Sequence, residues 1–365
     1  MRFQYGIEHE IAFINKQGEF ADFTNTDFSV FASIIDSLPL YETDYPQLRV
    51  GDEGIKLKRW YIEGYERFND KGEVSGCAPK GIEVRTTIHN SIGGVINELT
   101  ESYQLLEANA KPYGLKPVSI SFNPIQKKFE PVPPLTEFEL KRRLSSPEKQ
   151  TADIPMMTYG PDLSLSVSGM SVDKMIDVAK KLTYYSPWIL PFSFSSPFYQ
   201  NTLWKGLSVR TWHRTGARPA VMVFLPEGAK QIKSTPSLTQ VARVKAEAGR
   251  IEFKAFDSCA DFNLYASLLT LLKGLVLDTS LEGRAVVPDT EQHKYVAIHG
   301  FQDSDISDSA RLILDSSYNA LTESFDKKRL EPLFSLLDKT TLSQAQKMRE
   351  SYKKTGYLLE SLKAS

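Results

Sequence analysis

Three short segments combine carboxylates with strand-like alternation. The first is Gly6-Ile7-Glu8-His9-Glu10-Ile11-Ala12-Phe13. Successive side chains of a strand point to opposite faces, so Glu8 and Glu10 share one face while Ile7, Ile11 and Phe13 take the other. The second is Gly81-Ile82-Glu83-Val84-Arg85-Thr86-Thr87-Ile88, with Glu83, Arg85 and Thr87 opposite Ile82, Val84 and Ile88. The third is Arg250-Ile251-Glu252-Phe253-Lys254-Ala255-Phe256-Asp257, with Glu252 and Lys254 opposite Ile251 and Phe253. If these strands belong to one sheet, one face is core and the other is a basin holding four glutamates and at least two cations. Carboxylates converging on one cleft repel one another unless cations intervene. Hard oxygen donors of this kind suit Mg²⁺, which bridges to substrate phosphates, and Arg or Lys among them would hold phosphate oxygens. A solvated sheet face gives the same alternation, so the pattern alone leaves both readings open.

Two further segments are candidates for ligand contact. The run Val209 to Pro219 carries Arg210, His213, Arg214 and Arg218, with Gly216 to bend the chain. It reads either as a grip for a carboxylate or phosphate or as a solvated basic loop. In Tyr159-Gly160-Pro161-Asp162-Leu163-Ser164-Leu165-Ser166-Val167-Ser168-Gly169, three serines share a strand face. The GxSxG elbow of hydrolases is absent, so these hydroxyls read as cleft lining or as a polar outer face. No GxxxxGK[ST] loop, GxGxxG fingerprint or HExxH helix occurs, and the five histidines show no zinc spacing. A nucleotide, if bound, would be held without a glycine loop, through metals on carboxylates.

The elements that position these residues follow from periodicity. Helical spacing runs from Ile92 through Val95, Ile96, Leu99, Tyr103 and Leu106, ending near Lys111 ahead of Pro112 and Gly114. A second helix starts from Ser171 as N-cap, a third covers about 263–277, and the chain after Ser304 reads as helical with breaks near Ser324 and Lys339. Strand-like runs are Gln4–Ile14, Gly81–Ile88, Leu115–Ser121, Leu163–Ser168, Leu207–Trp212, Ala220–Leu225 and Arg250–Ala255. The proline-rich stretch from Pro124 to Pro155 reads as a linker or a long surface loop. Without strict βαβ alternation, the order favours an α+β fold with a largely antiparallel sheet, and one continuous domain over 1–365 with a helical C-terminal part from about 304.

Composition narrows the class. The chain has 365 residues with a net charge of −1, which gives no strong field toward nucleic acid or anionic lipid. Its two cysteines, Cys77 and Cys259, form no CxxC and fit a reducing cytoplasm. Cys77 reads as a small buried hydrophobe rather than a redox handle. The start lacks a signal-peptide apolar stretch, and Leu264–Leu277 is too short to span a bilayer and contains Lys273. The expectation is a cytoplasmic protein acting on small molecules. The oligomeric state, a homo-oligomer included, stays open.

Gly6-Ile7-Glu8-His9-Glu10 resembles the Gly-x-Glu-x-Glu opening strand of the glutamate–cysteine ligase superfamily, in particular its bacterial carboxylate–amine ligase branch. Gly81–Thr87 looks like its second acidic strand. Gly160–Gly169, a helix and Ser195-Ser196-Pro197-Phe198 look like its strand–helix–Ser-Pro-Phe block. Arg210–Arg218 looks like its arginine loop, and Arg250–Asp257 like its Val-Glu-Val-Arg-x-x-Asp strand. The resemblance covers roughly residues 3 to 280. It implies a glutamine-synthetase-like curved, mostly antiparallel sheet with helices on one side. It also implies ATP- and Mg²⁺-dependent joining of glutamate to cysteine or another amine through an acyl phosphate, as in glutathione biosynthesis. By position, Glu8, Glu10, Glu83 and Glu252 would be Mg²⁺ ligands, and Lys254, with Ser164, Ser166 and Arg85, would line the nucleotide. Arg210, Arg214 and Arg218 would hold substrate or the transferring phosphoryl group. Two features depart from the pattern. Ser164 and Ser166 stand where the family carries a His-x-His pair, and Lys254 stands where it carries arginine, keeping the charge but losing the bidentate fork. A ligase with another amine or carboxylate, and a catalytically silent nucleotide-binding or regulatory protein on the same fold, are the alternatives.

Overall fold

The computed structural model describes residues 1–44 and 58–363. Its strands, in chain order, are β1 (Phe3–Ile14), β2 (Phe20–Ala21), β3 (Trp60–Phe68), β4 (Val74–Arg85), β5 (Lys116–Val118), β6 (Pro161–Val167), β7 (Phe198–Tyr199), β8 (Thr202–Leu203), β9 (Val221–Leu225), β10 (Thr239–Val241) and β11 (Ile251–Phe253). Among the described residues the main sheet runs β10-β9-β11-β6-β1-β4-β3, with β2 and β5 pairing the far end of β1. All its pairs are antiparallel except β9 with β10. The curled sheet with helices packed on one side is the expected α+β architecture.

Register fixes the faces. Glu8 lies opposite both Arg85 and Asp162, Glu10 opposite Glu83, Gly6 opposite Ser164, and Glu252 opposite Ser164. With a period of two, every acidic residue of the first two motifs falls on one face with Glu252. The other face carries Ile7, Ile11, Val84, Leu163, Leu165, Ile251 and Phe253, all buried in one apolar cluster. Helices Ile92–Ala110, Val172–Ile189 and Phe262–Leu277 supply the facing layer through Leu99, Leu182 and Leu268 of that cluster. Each such side chain contributes about 1.5–3 kcal/mol by leaving water. The first helix ends in a tight turn at Lys111–Tyr113, closed by Gly114 in the left-handed region. Ser171 caps the second by accepting from the Lys174 amide.

Three expectations change. The run Leu207–Trp212 is not a strand. Residues Val209–Arg214 form a helix whose N-cap Ser208 accepts from the Thr211 amide, and that cap decides the local structure against the alternating apolar residues. Strand β3 was not foreseen, because a bulge at Glu63/Gly64 breaks its alternation. The proline-rich stretch is neither a linker nor a featureless loop: it holds the short helices Glu137–Arg143, Pro147–Gln150 and Asp153–Met157.

Candidate active site

The polar sheet face forms the floor of a cleft of about 460 Å³, within the range of small-ligand sites. Eleven of the residues singled out in the sequence line it: Glu8, Glu10, Glu83, Arg85, Ser164, Ser166, Arg210, Arg214, Arg218, Glu252 and Lys254; His213 does not, and stacks on the Phe122 ring instead. The fold therefore brings together segments up to about 240 residues apart, through strand register rather than local motif.

The carboxylates sort into two triads. Glu8, Asp162 and Glu252 present oxygens within 4.8 Å of one another, and so do Glu10, Glu63 and Glu83. Asp162 and Glu63 were not foreseen. Asp162 joins because β6 pairs with β1 so that Glu8 and Asp162 are direct neighbours. Glu63 comes from the bulged edge strand, two residues from Tyr61, which lies opposite Glu83. Cations are interleaved. Lys254 Nζ contacts Asp162 closely and lies 3.2 Å from Glu252. Arg250 reaches Glu8 at 3.4 Å and Glu252 at 3.7 Å, with its guanidinium 4.2 Å over the Phe224 ring. At the second triad the buried Lys80 ammonium donates to Glu10 at 2.8 Å and to the carbonyls of Pro155 and Thr158. Glu10 also accepts from the Gly160 amide at 2.9 Å, and Tyr61 donates to Glu83 at 2.5 Å.

These cations do not balance the acids. Burial, with repulsion from Glu63 and Glu8, holds the Glu83 carboxyl well above the usual range. Burial raises Glu10 despite Lys80. Burial raises Glu252 to about 7, although Arg250 and Lys254 pull it down. Asp162 is lowered in spite of its burial, because Lys254 lies against it. Lys254 is correspondingly raised: burial opposes its charge, and Asp162 and Glu252 outweigh that. Glu252 Oε2 is buried and has no hydrogen-bond partner among the described residues. An all-carboxylate oxygen set is the donor chemistry of Mg²⁺: Glu252 Oε2, with no hydrogen bond among the described residues and only the Arg250 guanidinium 3.7 Å away, fits a divalent ion at the first triad, and the three carboxylates of the second are the same donor set.

Facing the triads is the arginine helix. Arg210 NH1 and NH2 donate to the carbonyls of Ala255 at 2.9 Å and Lys254 at 3.0 Å, and its Nε is buried with no hydrogen-bond partner among the described residues. Asp257 lies 3.9 Å away and accepts from the Ser196 and Ser208 hydroxyls, which anchors the helix start. A methyl group on Gly160 would sit 2.3 Å from Arg210 NH2, so only glycine leaves room for this guanidinium. Arg214 donates to the Pro219 carbonyl at 2.7 Å, and Arg218 to the Glu148 carbonyl at 2.8 Å. Neither has an ion pair among the described residues. Burial and the neighbouring Arg210 and Arg218 hold Arg214 well below its ordinary value. Buried, mutually repelling guanidiniums are a place for an anion.

Ser164 and Ser166 lie on the cleft floor opposite Gly6 and Gln4. Arg85 stacks 5.0 Å over the Tyr61 ring and donates to the Lys58 carbonyl at 3.0 Å. Lys80 escaped the sequence reading, and Asp257 enters it only as the end of the third segment, without a role. Lys80 falls just before the alternating run, and Asp257 acts through residues of a separate segment.

Solved structures of ligases share this fold. Glutamate–cysteine ligase from Francisella tularensis in complex with AMP matches with a TM-score of 0.58 at 12% identity, over 100% of this chain and 88% of that one. A bifunctional glutathione synthetase from Pasteurella multocida matches with a TM-score of 0.60 at 10% identity, over 99% of this chain and 51% of that one. The ligase PafA, solved with the prokaryotic ubiquitin-like protein Pup, matches with a TM-score of 0.53 at 10% identity, over 98% of this chain and 71% of that one. No known family profile and no curated protein matches the chain. Among the described residues no helix is long and apolar enough to cross a membrane.

Proposed function

We propose that this chain is an ATP- and Mg²⁺-dependent ligase that activates a carboxylate as an acyl phosphate and joins it to an amine, with glutamate as donor and cysteine as first acceptor to test. The observation that carries this reading is the pair of carboxylate triads on one sheet face, opposed by three converging arginines. Glu8, Asp162 and Glu252 would hold one divalent ion, and Glu10, Glu63 and Glu83 a second. Bound there, the ions would neutralise charge on the triphosphate and on the transferring phosphoryl group.

The chain's own groups then have definable work. Lys254 and Arg250 contact phosphate oxygens from the first triad. Arg214 and Arg218 hold the donor carboxylate in line, where charge accumulates on the phosphoryl oxygens. Arg210, tied to the carbonyls of residues 254 and 255, fixes Lys254 relative to the arginine helix. In the first step a donor carboxylate oxygen bonds to the γ-phosphorus, and the bond to the β-phosphate oxygen breaks with ADP taking the electron pair. In the second, the acceptor ammonium gives one proton to solvent and its nitrogen bonds to the acyl carbon. The carbon–oxygen bond then breaks, and phosphate leaves with that pair and the second proton.

The AMP bound to the Francisella enzyme supports nucleotide use on this fold; Ser164 and Ser166, which stand where the family's His-x-His pair meets the nucleotide, alter that contact. Purified protein with Mg²⁺-ATP, glutamate and a panel of amines tests the proposal, read by ADP release and product mass. A γ-glutamyl product with cysteine, lost on Glu8→Gln, supports it as stated. A product with another amine alone moves the acceptor. Absence of nucleotide binding overturns it.

A further inference from the structure

Among the described residues, those that line the cleft all fall between Gln4 and Lys254. The helices beyond them have no part in the chemistry proposed above. Two of these, Gln344–Thr355 and Leu358–Lys363, nevertheless pack against the site's supports. Met348, Leu358 and Leu362 are buried in one apolar cluster with Phe20, Tyr159 and Phe198, and Tyr352 meets Phe198 edge to face at 5.5 Å. Tyr159 immediately precedes Gly160, whose amide donates to Glu10 and whose missing side chain leaves room for Arg210.

Polar contacts give this packing a register. Gln344 donates to the Ser119 carbonyl and hydroxyl, each at 3.1 Å, and accepts from the Ala260 amide at 3.0 Å. The Ala345 amide donates to the Phe194 carbonyl at 2.8 Å. One turn on, Arg349 NH1 donates to two carbonyls, that of Trp204 at 2.7 Å and that of Gly206 at 2.9 Å. These carbonyls belong to the turn that leads into the arginine helix. Leu207 and Ser208 follow at once, and both their amides donate to the Ala297 carbonyl, at 2.8 and 3.2 Å. A methyl group on Gly206 would lie 2.7 Å from that same carbonyl oxygen, so the turn is pressed close to helix Thr290–His299. The Ser208 hydroxyl accepts from the Thr211 amide and donates to Asp257. A shift of the turn therefore moves the cap of the helix that carries Arg210 and Arg214, and with it the loop to Arg218.

We propose that Arg349 is a positioning residue for the ligase reaction: from outside the cleft it fixes the turn at 204–208, so that the arginine helix presents Arg214 and Arg218 to the donor carboxylate. The proposal rests on the ligase reading and adds to it a residue from beyond the segment that resembles the family. A charged donor bonds a carbonyl more strongly than a neutral one, and one nitrogen shared by two carbonyls fixes how far apart they stand. The carboxylate triads are set by strand pairing within the sheet, in which the C-terminal helices take no part. Loss of Arg349 should thus disturb donor binding and spare the metal sites.

The test compares the full chain with its Arg349→Met and Arg349→Lys variants. In Arg349→Met, amides of the segment 207–216 are expected to exchange with deuterium at least about tenfold faster, while those of β1 and β6 keep their rates. KM for glutamate is expected to rise about tenfold through the displaced guanidiniums, with KM for ATP and the number of Mn²⁺ ions bound unchanged. Lysine keeps the charge and a nitrogen that can serve both carbonyls, so Arg349→Lys should recover most of both effects. Faster exchange across β1 and β6 as well, with KM for ATP and for glutamate changing together, would mean a structural role only and overturns the proposal. Unchanged exchange at 207–216, or faster exchange there with an unchanged KM for glutamate, also overturns it. Failure of the ligase reading is a separate outcome, seen in the wild type as no ADP from Mg²⁺-ATP and donor with any amine; the exchange measurement needs no turnover.

Discussion

Replacing Glu83 with glutamine should make the metal-free protein more stable and its response to Mg²⁺ weaker. Glu83 is 4% exposed and shares a triad with Glu10 and Glu63, with oxygens within 4.8 Å. At an effective dielectric of 20, two like charges at that separation repel by about 3.5 kcal/mol. Lys80 at 2.8 Å from Glu10 offsets part of this, and the upward shift of the Glu83 carboxyl, driven by burial and by Glu63 and Glu8, relieves a further part. Glutamine preserves an oxygen to accept from Tyr61, though a hydrogen bond to a neutral acceptor is weaker by about 1 kcal/mol. The net expectation is a gain of about 1–3 kcal/mol, read as a rise of a few degrees in Tm without metal. The melting shift produced by millimolar Mg²⁺ should shrink below that of wild type, because one oxygen donor has lost its charge. Differential scanning fluorimetry with EDTA and with Mg²⁺ gives both numbers. A variant less stable than wild type in EDTA, with an unchanged Mg²⁺ shift, would refute the assignment of this triad.

Three further outcomes follow from the same geometry. Gly160→Ala should displace the Arg210 guanidinium from the Lys254 and Ala255 carbonyls; turnover should drop about a hundredfold, while circular dichroism shows the fold retained. Glu252, raised from 4.5 to about 7, supplies stability that is present below the lower value and lost as pH rises through the upper one, so the metal-free protein should melt lower at pH 8 than at pH 6, and Glu252→Gln should flatten that slope. Phe253→Ala, on the core face of the strand carrying Glu252 and 1% exposed, should cost about 3–5 kcal/mol in urea unfolding and thereby separate loss of fold from loss of site.

How much of this was legible in the sequence depended on how local the signal was. Strand β1 announced itself because Glu8 and Glu10 alternate with residues that all enter the core, and the same holds for Glu83 and Glu252. Helix ends at Ser171 and Gly114 were readable because capping is a matter of a few neighbouring residues. Asp162 was not, since it joins its triad only through pairing with the distant strand β1, and Glu63 was not, since the bulge beside it erased the alternation that marks a strand. The arginine segment was misread for the opposite reason. Its alternation was present, but Ser208 buried against Asp257 caps a helix there. Lys80 lay hidden behind Pro79, which sits opposite Gly64 at the bulge, where proline is tolerated in a sheet.

The most direct test of the central claim is the stoichiometry of Mn²⁺ bound in the presence of a non-hydrolysable ATP analogue, measured by electron paramagnetic resonance. Two triads on one sheet face predict two Mn²⁺ per chain, falling to one in Glu83→Gln and to one in Glu252→Gln. No nucleotide-dependent Mn²⁺ binding, or binding unchanged in both variants, would contradict it.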